Sequence, residues 1–267
     1  MSKAFFNGQL IEQSEISDLA FAGFAHFTAM QVRNKAVKGL DLHLARLRDA
    51  SKLLFNNHLA DEDIINGLTS VLAHSDSDLS LTITMYSPKG EFNTASMNVT
   101  PNMLIRTSAP SNGPIGPLTL AAIEHQRTLA NIKHVGEIAK THCLHLAKKQ
   151  GFDDAVFINQ SGVLSEATIW NLAFWDGESV IWPKADMLKG TMMGIIQRQL
   201  TALNIPQKTM AISLHTLRDF TGAVVMNSWT PAVSVNKIAN MQFSQSQALQ
   251  KLLHNAYENE PFTYLNR

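Results

Sequence analysis

The sequence predicts an α+β chain in two parts. A helix-bearing N-terminal domain covers 1–107, a linker covers 108–117, and a strand-rich C-terminal domain covers 118–267. Three observations carry this. Residues 79–86 alternate apolar and polar side chains strictly, the period of a half-buried strand. Leu42, Leu44, Leu47, Ala50, Leu53 and Leu54 recur at helical spacing, and Ile64, Ile65, Leu68, Val71 and Leu72 repeat that pattern over 61–74. Residues 108–117 hold three prolines and two glycines, which suit an extended connection rather than a helix or a central strand.

The remaining elements follow in order. Residues 1–8 read as a strand leading into the favoured turn pair Asn7-Gly8, and they lack the long apolar run of a signal peptide. A strand is expected over 26–33, with turn chemistry at Asn34-Lys35 and Lys38-Gly39. Asp61 is the expected N-cap of the second helix. Further strands are expected at 103–107, 118–123, 155–159, 169–175, 179–182 and 223–226. Helices are expected over 134–150, closed by Gly151, and over 191–203 and 245–258. The first of these should bury Val135, Ile138, Ala139, Leu146 and Ala147.

Composition excludes several classes of function. The chain has 267 residues, 45% hydrophobic and 16% charged, enough for substantial cores. Lysine plus arginine equals aspartate plus glutamate at 22 each, so no electrostatic footprint for nucleic acid or an anionic membrane is present. No apolar run is long enough to span a bilayer. The single cysteine, Cys143, permits no internal disulfide and is expected to be buried; a cytoplasmic protein is the reading. His142 and His145 have no acidic or cysteine partner at ligand spacing, so no metal site is expected. Dinucleotide and P-loop glycine patterns are absent.

Four motifs carry chemistry. Lys133 stands in Asn131-Ile132-Lys133-His134, ahead of a helical pattern. Some thirty residues later come Gly162, Glu166 and Asn171, then Leu188-Lys189-Gly190-Thr191-Met192. Near the N-terminus lies Asp41-Leu42-His43-Leu44-Ala45-Arg46-Leu47. A lysine, a carboxylate and a glycine-entered helix start are the groups needed to hold a phosphorylated pyridine aldehyde. The amine condenses with the aldehyde. The carboxylate holds a protonated ring nitrogen through a charge-assisted hydrogen bond. Free N–H groups at the helix start accept a phosphate.

Taken together, these motifs resemble the class IV aminotransferases, the pyridoxal-phosphate enzymes of fold type IV. That family includes branched-chain and D-amino-acid aminotransferases and aminodeoxychorismate lyase. The resemblance runs from Asn7 to Pro231. It implies an N-terminal α/β sandwich, a C-terminal strand-rich pseudo-barrel and pyridoxal 5'-phosphate as cofactor. Lys133 would be the catalytic, imine-forming lysine. Arg46, Glu166, Thr191, Met192 and Ser228 would also contact the cofactor, and Thr28, Gln31 and Asn227 would face substrate. His43 and Asn171 would be structural.

The implied activity moves an amino group between an amino acid or amine and a 2-oxo acid, with small-molecule donor and acceptor and a homodimeric enzyme. The alternative is a lyase of the aminodeoxychorismate type that releases pyruvate. Two departures stand out. The family's arginine after its Ile-Thr pair is missing behind Thr191-Met192, and Tyr86-Ser87-Pro88-Lys89-Gly90 stands where the lyases carry Arg-Gly-Tyr-Ser. The second departure counts against the lyase; the first, with a Thr28–Gln31 strand that lacks the family's acidic or second threonine residue, leaves open a third reading, a fold that binds cofactor without reacting with amines.

Overall fold

The structure, a computed structural model, describes residues 3–6, 9–10 and 22–265. The chain forms two compact units. One comprises Met1–Ser111, Ile132–Gly136 and Pro261–Arg267; the other comprises Asn112–Asn131 and Glu137–Glu260.

The first unit is a helix pair on an antiparallel sheet. Its elements are β1 (Lys3–Phe6), β2 (Gln9–Leu10), β3 (Ala25–Val32), β4 (Ala36–Lys38), α1 (Leu40–Phe55), α2 (Asp61–Ala73), β5 (Leu79–Tyr86) and β6 (Asn102–Ser108). The sheet order is β2-β1-β6-β5-β3. The expected Asn7-Gly8 turn lies outside the described residues. Period-two alternation puts Leu79, Leu81, Ile83 and Met85 of β5 on one face with Met30 and Val32 of β3. Leu44, Leu47 and Phe55 of α1 and Ile64, Leu68 and Val71 of α2 pack in the same core. Gly67 of α2 faces β6, where an added Cβ would lie 2.5 Å from Met103 Cε and displace the end of that flexible side chain.

Asp61 is not the cap of α2. Ala60 holds that position, and Asp61 is the first helical residue, its carboxylate accepting from Arg48 Nη1 at 2.8 Å. Asp61, Glu62 and Asp63 in the first turn still interact favourably with the positive end of the helix dipole.

The second unit contains β7 (Leu118–Glu124), α3 (Ile138–Lys149), β8 (Asp154–Ile158), β9 (Leu164–Ala167), β10 (Asn171–Trp175), β11 (Val180–Pro183), α4 (Thr191–Ala202), β12 (Gln207–Met210), β13 (Gly222–Asn227), β14 (Thr230–Ile238), β15 (Met241–Gln242) and α5 (Ser246–Glu258). The sheet runs β12-β11-β10-β13-β14-β7-β8-β9, with β15 on β14. Both faces are buried. Leu172, Phe174, Val225 and Val233 pack on one side with Trp170 and Phe220. Ala173, Val224 and Met226 pack on the other against Met192, Ile196 and Leu200 of α4 and Leu249 and Leu253 of α5. The last strand, β16 (Phe262–Tyr264), belongs to the first unit and pairs with β4.

The third helix departs from expectation. It begins at Ile138, not near 134, because the backbone at 133–135 is hydrogen-bonded to β3. Its buried residues are Lys140, Cys143 and Ala147, while Ile138 is 87% exposed and Val135 and Ala139 are exposed as well. Cys143 is buried as expected, and desolvation raises its thiol pKa. Gly151 follows the helix at φ 82°, the left-handed conformation of a C′ residue.

Candidate active site

In the first unit, Lys133 sits on an extended segment laid against β3. Phe27 N–H donates to the Lys133 carbonyl at 2.8 Å, and Val135 N–H donates to the Ala25 carbonyl at 2.8 Å. Lys133 Nζ lies 4.7 Å from the centroid of the Phe27 ring, a cation–π contact that orients the amine. Thr28 and Gln31 are three positions apart on β3, so they point to opposite faces. Thr28 is fully buried toward the helices, where its hydroxyl is 2.6 Å from His43 Nδ1. Gln31 shares the half-buried face of Phe27 and bonds Ser80 and the Ser111 N–H.

Arg46 is half-buried on α1, one turn beyond the buried His43. Burial first, then the Arg46 charge, lowers the His43 pKa to about 3, so that ring is neutral and structural. Burial likewise lowers His26 to about 4; its Nε2 lies 2.8 Å from Ser51 Oγ.

In the second unit, Glu166 projects from β9 and is 3% exposed. The connection behind it is fixed by Asp154, which accepts from Thr168 Oγ1 at 2.6 Å and Trp170 Nε1 at 2.9 Å. Glu166 Oε1 lies 3.5 Å from Arg127 Nη1 and 3.4 Å from the Leu188 N–H, and Oε2 lies 3.7 Å from Lys140 Nζ. Each contact is long for a charge-assisted bond, so both oxygens keep accepting capacity. Burial is the main cause of a lowered Lys140 pKa.

The expected phosphate cup is a constrained turn. Asn171 Nδ2 donates to the Leu188 carbonyl at 2.6 Å, and its Oδ1 accepts from the Gly190 N–H at 3.0 Å. A Cβ on Gly190 would lie 2.1 Å from Asn171 Oδ1. Gly190 has no side chain to cap α4, so the first-turn N–H groups at Thr191 and Met192 stay available to an anion. Ser228 and Trp229 form the turn between β13 and β14, with Asn227 Oδ1 accepting from the Trp229 N–H at 2.9 Å.

The family model for amino-transferase class IV matches residues 25–238 of this chain. The chain belongs to that family. No curated protein sequence matches it, but solved structures share its fold. The branched-chain aminotransferase of the thermophilic archaeon Thermoproteus uzoniensis, with norvaline, is similar at 16% identity and TM-score 0.85, covering 98% of this chain and 99% of that one. The branched-chain amino acid aminotransferase from Escherichia coli gives 14% identity and TM-score 0.82, over 100% and 99%. A putative 4-amino-4-deoxychorismate lyase from Legionella pneumophila gives 17% and 0.81, over 92% and 94%.

For a class IV amino-transferase these residue types are apt, each unit taken by itself: the second holds a buried carboxylate with spare acceptor capacity and a glycine-entered helix start, and the first holds a lysine and an arginine. Arg127 and Lys140, the cations beside Glu166, are not legible in sequence. Their signal is burial of charge, which local periodicity does not show. Among the described residues no cluster could hold a metal ion, and no helix is long and apolar enough to cross a membrane.

Proposed function

We propose that this protein is a pyridoxal-phosphate-dependent aminotransferase that moves an amino group from an amino acid or amine to a 2-oxo acid. When bound, the cofactor supplies an aldehyde for the amine and a ring that takes up the electron pair released as the substrate carbon loses its proton. Lys133 Nζ would hold the aldehyde and, as a free amine, would take up and return the substrate proton. Glu166 would face the ring nitrogen, with Arg127 Nη1 and Lys140 Nζ beside its carboxylate at 3.5 and 3.7 Å. Arg46 and the N–H groups at Thr191 and Met192 hold the phosphate, with Ser228 as a further contact. Gln31 and Asn227 shape the substrate side; Thr28 acts through the strand that its bond to His43 fixes. A cytoplasmic homodimer is part of this reading.

The observation that carries it is the buried Glu166 beside the uncapped, Asn171-pinned start of α4, in a chain of this family. Spectroscopy tests it. Reconstituted protein should shift its visible absorbance to that of the cofactor amine when an amino acid is added and recover on addition of a 2-oxo acid. The lyase is the second reading, favoured by the fold likeness to the Legionella protein. Release of pyruvate from aminodeoxychorismate with no amino acceptor would establish it instead.

A further inference from the structure

The chain leaves the second unit after Asn131 and re-enters it at Glu137, and the excursion carries Lys133. Arg127 stands just ahead of it and reaches both ends. Its Nη1 donates to the Ala130 carbonyl at 2.8 Å, and its Nη2 donates to Glu137 Oε1 at 2.5 Å. The same Nη1 lies 3.5 Å from Glu166 Oε1, and the guanidinium is almost fully buried. Between Arg127 and Ala130, Leu129 is held at φ 50°, a left-handed conformation that costs about 1 kcal/mol in a branched residue. Such strain persists only where surrounding contacts impose it. Lys140 closes the cluster, 3.6 Å from Glu137 Oε1 and 3.7 Å from Glu166 Oε2; His125 is the other titratable group that feels it.

We propose that Arg127 is a positioning residue that clips together the two ends of the Lys133-bearing excursion and orients Glu166 from the same fork. A planar guanidinium with fixed donors can serve a carbonyl and two carboxylates at once, whereas a lysine ammonium is a point charge on a flexible stem. The two cations and two carboxylates balance formally, so losing Arg127 also leaves an excess of negative charge beside the carboxylate. The consequence for catalysis rests on the function proposed above; the clip itself does not.

The test uses full-length Arg127→Met, Arg127→Lys and Glu137→Ala proteins. In cofactor-free protein, amide hydrogen exchange over 128–137 should rise about tenfold in Arg127→Met and remain raised in Arg127→Lys, while β10 and β13 exchange as in wild type. In reconstituted protein, the pH midpoint of the cofactor absorbance should move up by about 0.5–1 unit in Arg127→Met, because a cation is lost, and stay at the wild-type value in Arg127→Lys. Unchanged exchange in Arg127→Met, or full restoration of protection by lysine, overturns the clip. Should Arg127→Met not fold, Glu137→Ala decides. Its partly exposed carboxylate opens one end only, and exchange over 128–137 should rise about threefold; no change overturns the proposal. Wild-type protein that takes up no cofactor defeats the functional reading, while the exchange measurement still judges the clip.

Discussion

Replacing Gly190 by alanine isolates the turn that starts α4. Gly190 sits at φ −63° and ψ 146°, a conformation open to any residue. Alanine would therefore bring no backbone strain and would stabilise by about 0.4–1 kcal/mol through the unfolded chain. Against this stands one contact, the new Cβ at 2.1 Å from Asn171 Oδ1. Asn171 must move and give up its bonds to the Gly190 N–H and the Leu188 carbonyl, at 3.0 and 2.6 Å. Each buried group left unsatisfied costs about 1–3 kcal/mol, so the net loss should be roughly 2–4 kcal/mol. Denaturant unfolding of the cofactor-free protein measures it. The cause is checked by Asn171→Ala, which removes the obstructing side chain. Adding Gly190→Ala to that variant should cost less than about 0.5 kcal/mol, a non-additive pair. A Gly190→Ala protein as stable as wild type, or a fully additive double variant, would refute the reasoning.

Acidification tests the first unit. His26 and His43 are held near pKa 4 and 3 against 6.5 unfolded. As pH falls below 6.5 the unfolded chain takes up protons that the fold refuses, so stability present above that value is lost, roughly 3 kcal/mol per histidine by pH 4. An unfolding free energy that stays flat from pH 7 to 4.5 would contradict this. On the proposed role of Arg46 as a bidentate phosphate clamp, Arg46→Lys should weaken cofactor retention about tenfold, read by equilibrium dialysis. Glu166→Gln should lower turnover about a hundredfold with little change in amine binding; equal turnover would remove Glu166 from the ring nitrogen.

Sequence patterning fails here where partners are distant. The strands β5 and β6 and the helices α1 and α5 are visible because each buries one face, and alternation or helical spacing records that face. β14 is buried over six successive residues and carries Pro231, so it shows neither alternation nor freedom from breakers. Helical spacing places the start of α3 too early because backbone bonds from 133–135 go to β3, more than a hundred residues away in sequence. At the site, motif residues are legible because their chemistry dictates residue type. Arg127 and Lys140 are not, since what marks them is burial beside Glu166, a property of the folded sheet.

The identity of the cofactor-bearing amine decides the central claim most directly, because another lysine, the buried Lys140, lies beside Glu166. Protein reconstituted with pyridoxal 5'-phosphate is reduced with borohydride, digested and mapped by mass spectrometry. The cofactor mass is expected on the peptide that contains Lys133, with no fixed label in Lys133→Ala. Label on Lys140, or undiminished label in that variant, would contradict the assignment.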